Sequence, residues 1–327
     1  MKVLYAIQGT GNGHLSRAND IIPLLKEIAD VDVLISGIQS DVTIPFHIKY
    51  RLNGLSFIFG KNGGVNLWQT VKSFRLFRLL KDIFTLPVRE YDLVINDFEP
   101  VSAWAAKLKN VPSVSLSHQA AVIDEKAPKP EKDSKLGKLI LKKYAPSQQS
   151  YGFHFEKYQD HIFTPVIRKQ IRELKVTNRG HFTVYLPAYG NELLINYLSQ
   201  VENANWEVFS KFCTSEFQYK NVKVKPINNE AFIRSLASCA GVLCGAGFET
   251  PAEALFMEKK LMVIPMSNQY EQQCNAMSLK KMGVPVLKGL SQESVSEIQD
   301  WINKARNVKV NYPDMTREII GKVIRGI

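Results

Sequence analysis

Cysteine is scarce in this 327-residue chain, and the four present (Cys213, Cys239, Cys244, Cys274) form no CxxC pair and no cluster with histidine. That excludes a disulfide framework and a structural zinc ribbon, and leaves buried free thiols as the expectation. Long apolar runs are also missing: nothing approaches the roughly 18–20 residues a membrane-spanning helix needs. The apolar residues 1–7 end in a glycine-rich loop rather than in the h-region and cleavage site of a secretory signal, so a cytoplasmic location is expected. Repeats of 20–50 residues and low-complexity tails are absent, which excludes a solenoid. No Gly-Lys-Ser/Thr follows a glycine loop, which excludes a Walker A site. D-x-D occurs at Asp30-Val31-Asp32, but it flanks an early strand, where it reads as a turn, and no metal site is expected.

What is present suits a soluble protein with a substantial core. Apolar residues make up 45% and charged residues 22% of the chain, and the length suggests two domains. The net charge of +11 favours an anionic partner: a phosphorylated small molecule, a lipid headgroup or nucleic acid. Divided at Phe163 the halves carry +5 and +6, so neither is a basic tail, and no nucleic-acid motif appears; nucleic acid is set aside. Lysines concentrate at 126–143, where seven face only Glu131 and Asp133; a solvated loop and helix face is the simplest use.

Strand and helix patterns alternate. Strands are expected at 2–8, 31–36, 92–96 and 113–117, with a helix over 15–29. After Phe163 the pattern restarts, with strands at 182–186, 207–210, 222–225, 241–244, 261–264 and 284–287 and helices between them. Strands separated by helices pair in parallel, so two α/β sheets in tandem follow. The join falls near Thr164-Pro165.

Two glycine-rich turns carry the chemistry. Gly9-Thr10-Gly11-Asn12-Gly13-His14 lies between the first strand and the first helix, where free N–H groups attract anions. Its G-x-G-x-G spacing puts His14 where the dinucleotide fingerprint needs a glycine, which disfavours hydride transfer. At the carboxyl end of a parallel strand, His14 points toward the crevice where open α/β sheets bind ligands. Gly245-Ala246-Gly247 repeats the arrangement, with Thr250 in the first helical turn and Glu253 one turn on, suited to phosphates and ribose hydroxyls respectively. The stretch 265–276 adds amides and carboxylates fit for a polyhydroxylated ligand. Asp97 and Glu99 end one strand and His118 the next, so these could meet His14 above one sheet edge, or merely cap helices.

Gly245-Ala246-Gly247-Phe248-Glu249-Thr250-Pro251-Ala252-Glu253-Ala254-Leu255, with Leu261 to Pro265 and Glu271-Gln272-x-x-Asn275-Ala276, resembles the donor signature of GT-B nucleotide-sugar glycosyltransferases. The branch is that of family 28 and family 1, including the UDP-glucuronosyltransferases and the peptidoglycan-precursor N-acetylglucosaminyltransferase. The glycine loop ending in His14 is similar to that branch's G-G-T-G-G-H, with Gln8 and Asn12 replacing glycines. The resemblance implies two Rossmann-like domains facing across a cleft: residues 1–164 on the acceptor side, 165–310 binding the nucleotide sugar, and 311–327 crossing back as a helix. It implies that Gly245, Ala246, Gly247 and Thr250 hold the diphosphate, Glu253 the ribose, Glu271 and Gln272 the sugar, and the backbone at Ile227 the base. Gly11, Asn12 and Gly13 complete the site.

The resulting expectation is an inverting, metal-independent hexosyl transfer from a nucleoside-diphosphate sugar, a UDP-sugar first, to an acceptor hydroxyl. His14 is the base, with Asp97 and Glu99 beside it, and no other cofactor is needed. The acceptor is a saccharide, a lipid or a small aglycone. Rival readings are a nucleotide-sugar binding protein without turnover and a sugar-nucleotide epimerase. An amphipathic stretch at 67–84, with Trp68, Phe74, Phe77, Leu80 and Phe84 among Lys72, Arg75, Arg78 and Lys81, serves either as a core-facing helix or as a peripheral docking face for the inner, anionic membrane surface.

Overall fold

The computed structural model describes residues 1–37, 44–54, 76–131 and 134–326. Seven strands form the first sheet: β1 (Lys2–Gln8), β2 (Asp30–Ser36), β3 (Tyr50–Leu52), β4 (Leu93–Asp97), β5 (Ser113–Ser117), β6 (Gln149–Phe153) and β7 (Ile162–Phe163). They run in the order β3-β2-β1-β4-β5-β6-β7, and every pairing is parallel. β1 and β4 are buried on both faces, as their unbroken apolar runs require.

The second sheet holds β8 (His181–Tyr185), β9 (Asn205–Ser210), β10 (Phe217–Tyr219), β11 (Val222–Pro226), β12 (Gly241–Gly245) and β13 (Lys260–Ile264). Its order is β10-β11-β9-β8-β12-β13, parallel except for the edge hairpin β10–β11. The strand expected at 284–287 is only a single bridge, Val263 to Val286, in which Val263 donates to the Pro285 carbonyl and accepts from the Leu287 N–H. The short edge strands β3, β7 and β10, and β6 beside β7, had no sequence signal strong enough to separate them from loops. The terminal helix Thr316–Arg325 packs on the first helix, Asn12–Lys26, and Arg317 pairs with Glu27 across that contact.

Both sheets are Rossmann-like, and each reverses strand order once: between β1 and β4 in the first, between β8 and β12 in the second. Ligands bind at the carboxyl ends of strands at such switch points. The loops after β1, β4, β8 and β12 therefore define where the site must lie. Among the described residues no helix is long and apolar enough to cross a membrane.

Candidate active site between the two sheets

A cavity of about 520 Å³ lies between the two switch points, lined by Gly11, Asn12, Gly13 and His14 on one wall and by Pro187, Gly247, Phe248 and Thr250 on the other. Its size suits a nucleotide-sized ligand. The first helix starts at Gly11, whose φ of 92° is open to glycine and costly for other residues. No side chain caps that end. Gly13 is required for a different reason: a Cβ there would strike the Glu249 carboxylate from the other domain.

His14 stands one residue further on, its Nδ1 2.8 Å from Asp97 Oδ1. Asp97 is fully buried and also accepts two 2.8 Å hydrogen bonds from Arg17. A carboxylate at Nδ1 puts the proton there and leaves Nε2 with the lone pair; Gln119 Nε2, a donor, lies 3.4 Å from it. Burial pulls the His14 pKa down, but the charge and hydrogen bond of Asp97 outweigh it against the opposing Arg17, and the net shift is upward. Burial pushes Asp97 up, while Arg17 and His14 together bring it below its ordinary value. The pair is thus an ionised carboxylate holding a basic imidazole at the cavity wall.

Glu99 has another task. Its carboxylate accepts from the Val101 and Ser102 backbone N–H groups and from Ser36 Oγ, at 2.6–2.7 Å, capping the helix Pro100–Lys109. It is wholly buried and does not line the cavity, so its expected place beside the base is corrected. His118 is likewise diverted. Its ring is bonded to the Phe153 carbonyl and to Asn275 Oδ1 and stacks on Phe248 at 3.9 Å, pinning the two halves together.

On the opposite wall, the helix Glu249–Phe256 begins at Phe248 with no side-chain cap, so its first N–H groups are available to an anion. Thr250 lies in that first turn and lines the cavity. Nothing stands within 4 Å of where a Gly247 Cβ would be, and glycine keeps that space open. Glu253 lines the cavity one turn further, both oxygens held by Arg168 at 2.5 and 2.8 Å. Burial raises the Glu253 pKa more than Arg168 lowers it. Glu271 accepts from Gln119 Nε2 at 2.9 Å across the cleft, and Gln272 Oε1 accepts from the Met266 N–H. Ile227 lines the far end beside Phe209 and Phe232, whose rings are 5.3 Å apart. Gly245 borders a smaller adjoining cavity of about 100 Å³. Ala246 is buried, and its carbonyl accepts from Asn275, so it shapes the turn without lining the main cavity.

The glycosyl transferase family 1 model matches residues 1–305. The chain belongs to that family. No match was found among curated proteins. Among solved structures, this family 1 chain is similar to MurG of Acinetobacter baumannii (14% identity, all of both chains covered, TM-score 0.58). It is similar too to the glycosyltransferase of kitacinnamycin (12%, 99% of this chain and 94% of that one, TM-score 0.59). A third is Arabidopsis thaliana UGT89C1 complexed with UDP (14%, 99% and 94%, TM-score 0.57). At these identities the likeness establishes the GT-B fold.

The family 1 chain is thus a GT-B-type glycosyltransferase acting on a nucleotide sugar, and three of its site residues had no signal in the motifs. Arg17 is 2% exposed and bonds Asp97 in its own domain and Glu249 in the other, joining the imidazole pair to the first turn of the helix Glu249–Phe256. Arg168 and Gln119 hold Glu253 and Glu271. Among the described residues no group of three or more His, Cys, Asp or Glu is placed to hold a metal ion. In the stretch 67–84, the helix Leu76–Thr85 packs Leu79 and Ile83 inward and leaves Phe77, Leu80 and Phe84 exposed. Trp68, Lys72, Phe74 and Arg75 lie outside the described residues.

Proposed function

We propose that this chain transfers a hexose from a nucleoside-diphosphate sugar, UDP-linked in the first instance, to an acceptor hydroxyl with inversion and without a metal. Residues 1–164 supply the acceptor side and 165–310 the donor side. The observation that carries the reading is the His14–Asp97 pair, 2.8 Å apart, at a cavity wall opposite an uncapped helix start.

The acceptor hydroxyl gives its proton to His14 Nε2 as its oxygen bonds to the anomeric carbon. The bond from that carbon to the diphosphate oxygen breaks, and the leaving diphosphate takes the electron pair. Asp97 holds the imidazole and offsets the charge it gains. The N–H groups at the start of the helix Glu249–Phe256, with the Thr250 hydroxyl, stabilise the departing diphosphate, so positive charge comes from backbone dipoles. Glu253, oriented by Arg168, accepts from the ribose; Glu271 and Gln272 accept from the sugar; the Ile227 backbone meets the base beside Phe209 and Phe232.

A thermal-shift panel of UDP, GDP and TDP sugars tests the donor, since a ligand at 100 times its Kd adds about 2.7 kcal/mol of stability. The hits are then followed for nucleotide release with saccharide, lipid and phenolic acceptors. Nucleotide release that depends on an acceptor supports the reading. A new sugar nucleotide formed from the donor alone indicates epimerisation instead, and stabilisation without any turnover indicates a binding protein.

A further inference from the structure

The helix Lys135–Tyr144 has two apolar faces where a surface helix needs one. Its inner face is accounted for. Tyr144 is buried and stacks on Phe98 at 4.6 Å, Leu141 packs against Val122, Tyr270 and Cys274, and Gly137 sits against the Tyr270 side chain, where a Cβ would come within 2.7 Å. The other face carries Leu136, Leu139 and Ile140, 65%, 53% and 39% exposed and spaced i, i+3, i+4 into one stripe.

Lys143 lies within that stripe, Lys135 and Lys142 run along one side of it with Lys138 beyond them, and the helix KLGKLILKKY contains no acidic residue. Elsewhere on the surface, Lys304 and Lys322 pair with Asp300 and Glu318 one turn away on their own helices. Here the lysines have no such partner within the helix. Exposed aliphatics beside a row of ammonium groups are what a helix lying in a lipid interface requires.

We propose that the helix Lys135–Tyr144 docks on an anionic phospholipid bilayer, with Leu136, Leu139 and Ile140 entering the headgroup–acyl boundary and the four lysines meeting lipid phosphates. Nucleic acid would engage the lysines and leave the aliphatic stripe wet. A second copy of this chain would bring lysine against lysine on a protein already carrying +11. The helix also borders the His14 side of the cleft: Phe98, stacked on Tyr144, lies 6.5 Å from the His14 ring. A hydroxyl held at the bilayer surface would thus arrive on the side of the base. The docking goes beyond the proposed reaction and rests on none of its steps.

The test is flotation of the full chain with vesicles of phosphatidylcholine alone and with about 30% phosphatidylglycerol, which supplies the negative surface potential. Three proteins are compared: wild type, a Lys138/Lys142/Lys143→Glu variant, and a Leu136→Ser/Leu139→Ser variant, each checked for an unchanged melting temperature. Each lysine near an anionic surface contributes about fivefold to partitioning, so reversing three lowers it by at least about 100-fold. Wild type is expected to float with the anionic vesicles only, to be released at about 0.5 M salt, and to lose binding in both variants. The proposal is overturned if wild type does not float, floats equally with neutral vesicles, or floats as well when either set is replaced. It is also overturned if the face proves to hold RNA with the leucines dispensable, or if sedimentation shows a dimer that the serine variant dissociates.

Discussion

Replacing Asp97 with Asn separates the electrostatic work of this residue from its shape. The carboxylate is fully buried and accepts three hydrogen bonds of 2.8 Å, one from His14 and two from Arg17. Removing one partner of a buried ion pair costs about 3–5 kcal/mol. Asn keeps the volume and one acceptor oxygen, and Glu249 still faces Arg17, so the loss should fall near the lower end. The pH dependence carries more information. In the folded wild type the His14 pKa is raised, so its contribution to stability is complete below the unfolded value of about 6.5 and is lost as pH rises through the folded pKa. The Asp97 pKa is lowered, so its contribution is present above the unfolded value of about 3.9 and is lost as pH falls through the folded pKa. The stability gap between wild type and Asp97→Asn should therefore be widest between about pH 4 and 6.5 and narrow above it. The variant imidazole, buried without the carboxylate, titrates lower, and the acid limb of kcat/KM moves to lower pH while kcat falls by about 10²–10⁴. Urea unfolding across pH and a pH–rate profile measure both. An unmoved acid limb, or a stability gap flat with pH, would refute the coupling of Asp97 to His14.

Glu253→Gln should weaken UDP binding by about 1–3 kcal/mol in calorimetry, through loss of a charge-assisted bond to ribose. Glu253→Ala should also destabilise the fold by about 3–5 kcal/mol, because Arg168 is left buried and uncompensated; equal UDP affinity in a folded Gln variant would sink the ribose assignment. Gly13→Ala brings a methyl group against the Glu249 carboxylate, a side-chain end that can turn aside at the expense of its bond to Arg17, and should cost about 1 kcal/mol. Combining it with Glu249→Ala should recover most of that loss, and a double variant no better than Gly13→Ala would show that the clash is not the cause.

The strands that build both switch points were legible because they are short apolar runs bounded by glycine or helix signals: β1 and β5 begin and end where the pattern puts them, and β12 and β13 lie within one residue. The His14 loop and the Gly245–Thr250 turn were legible as cavity-lining strand-to-helix turns because their glycines mark them within one turn of chain. Glu99 was misread for the same kind of reason. A carboxylate at the end of a strand looks catalytic, although Pro100 directly after it is the mark of a helix start and pointed to a cap. Arg17 and Arg168 were illegible. Each is a buried cation whose partners lie 80 or more residues away, and no local pattern records such a pairing. The exposed stripe of Leu136, Leu139 and Ile140 went unread because the lysines of that segment mark a solvated face; Leu141 and Tyr144 turn inward, and the stripe does not.

The central claim is that one cavity holds a donor on the helix Glu249–Phe256 and a base at His14, doing separable work. The direct measurement is His14→Ala, assayed for donor affinity by calorimetry and for transfer by nucleotide release on the same preparation. The account predicts donor affinity nearly intact and transfer down by about 10²–10⁴. Affinity falling in step with rate, or transfer at the wild-type level, would contradict it.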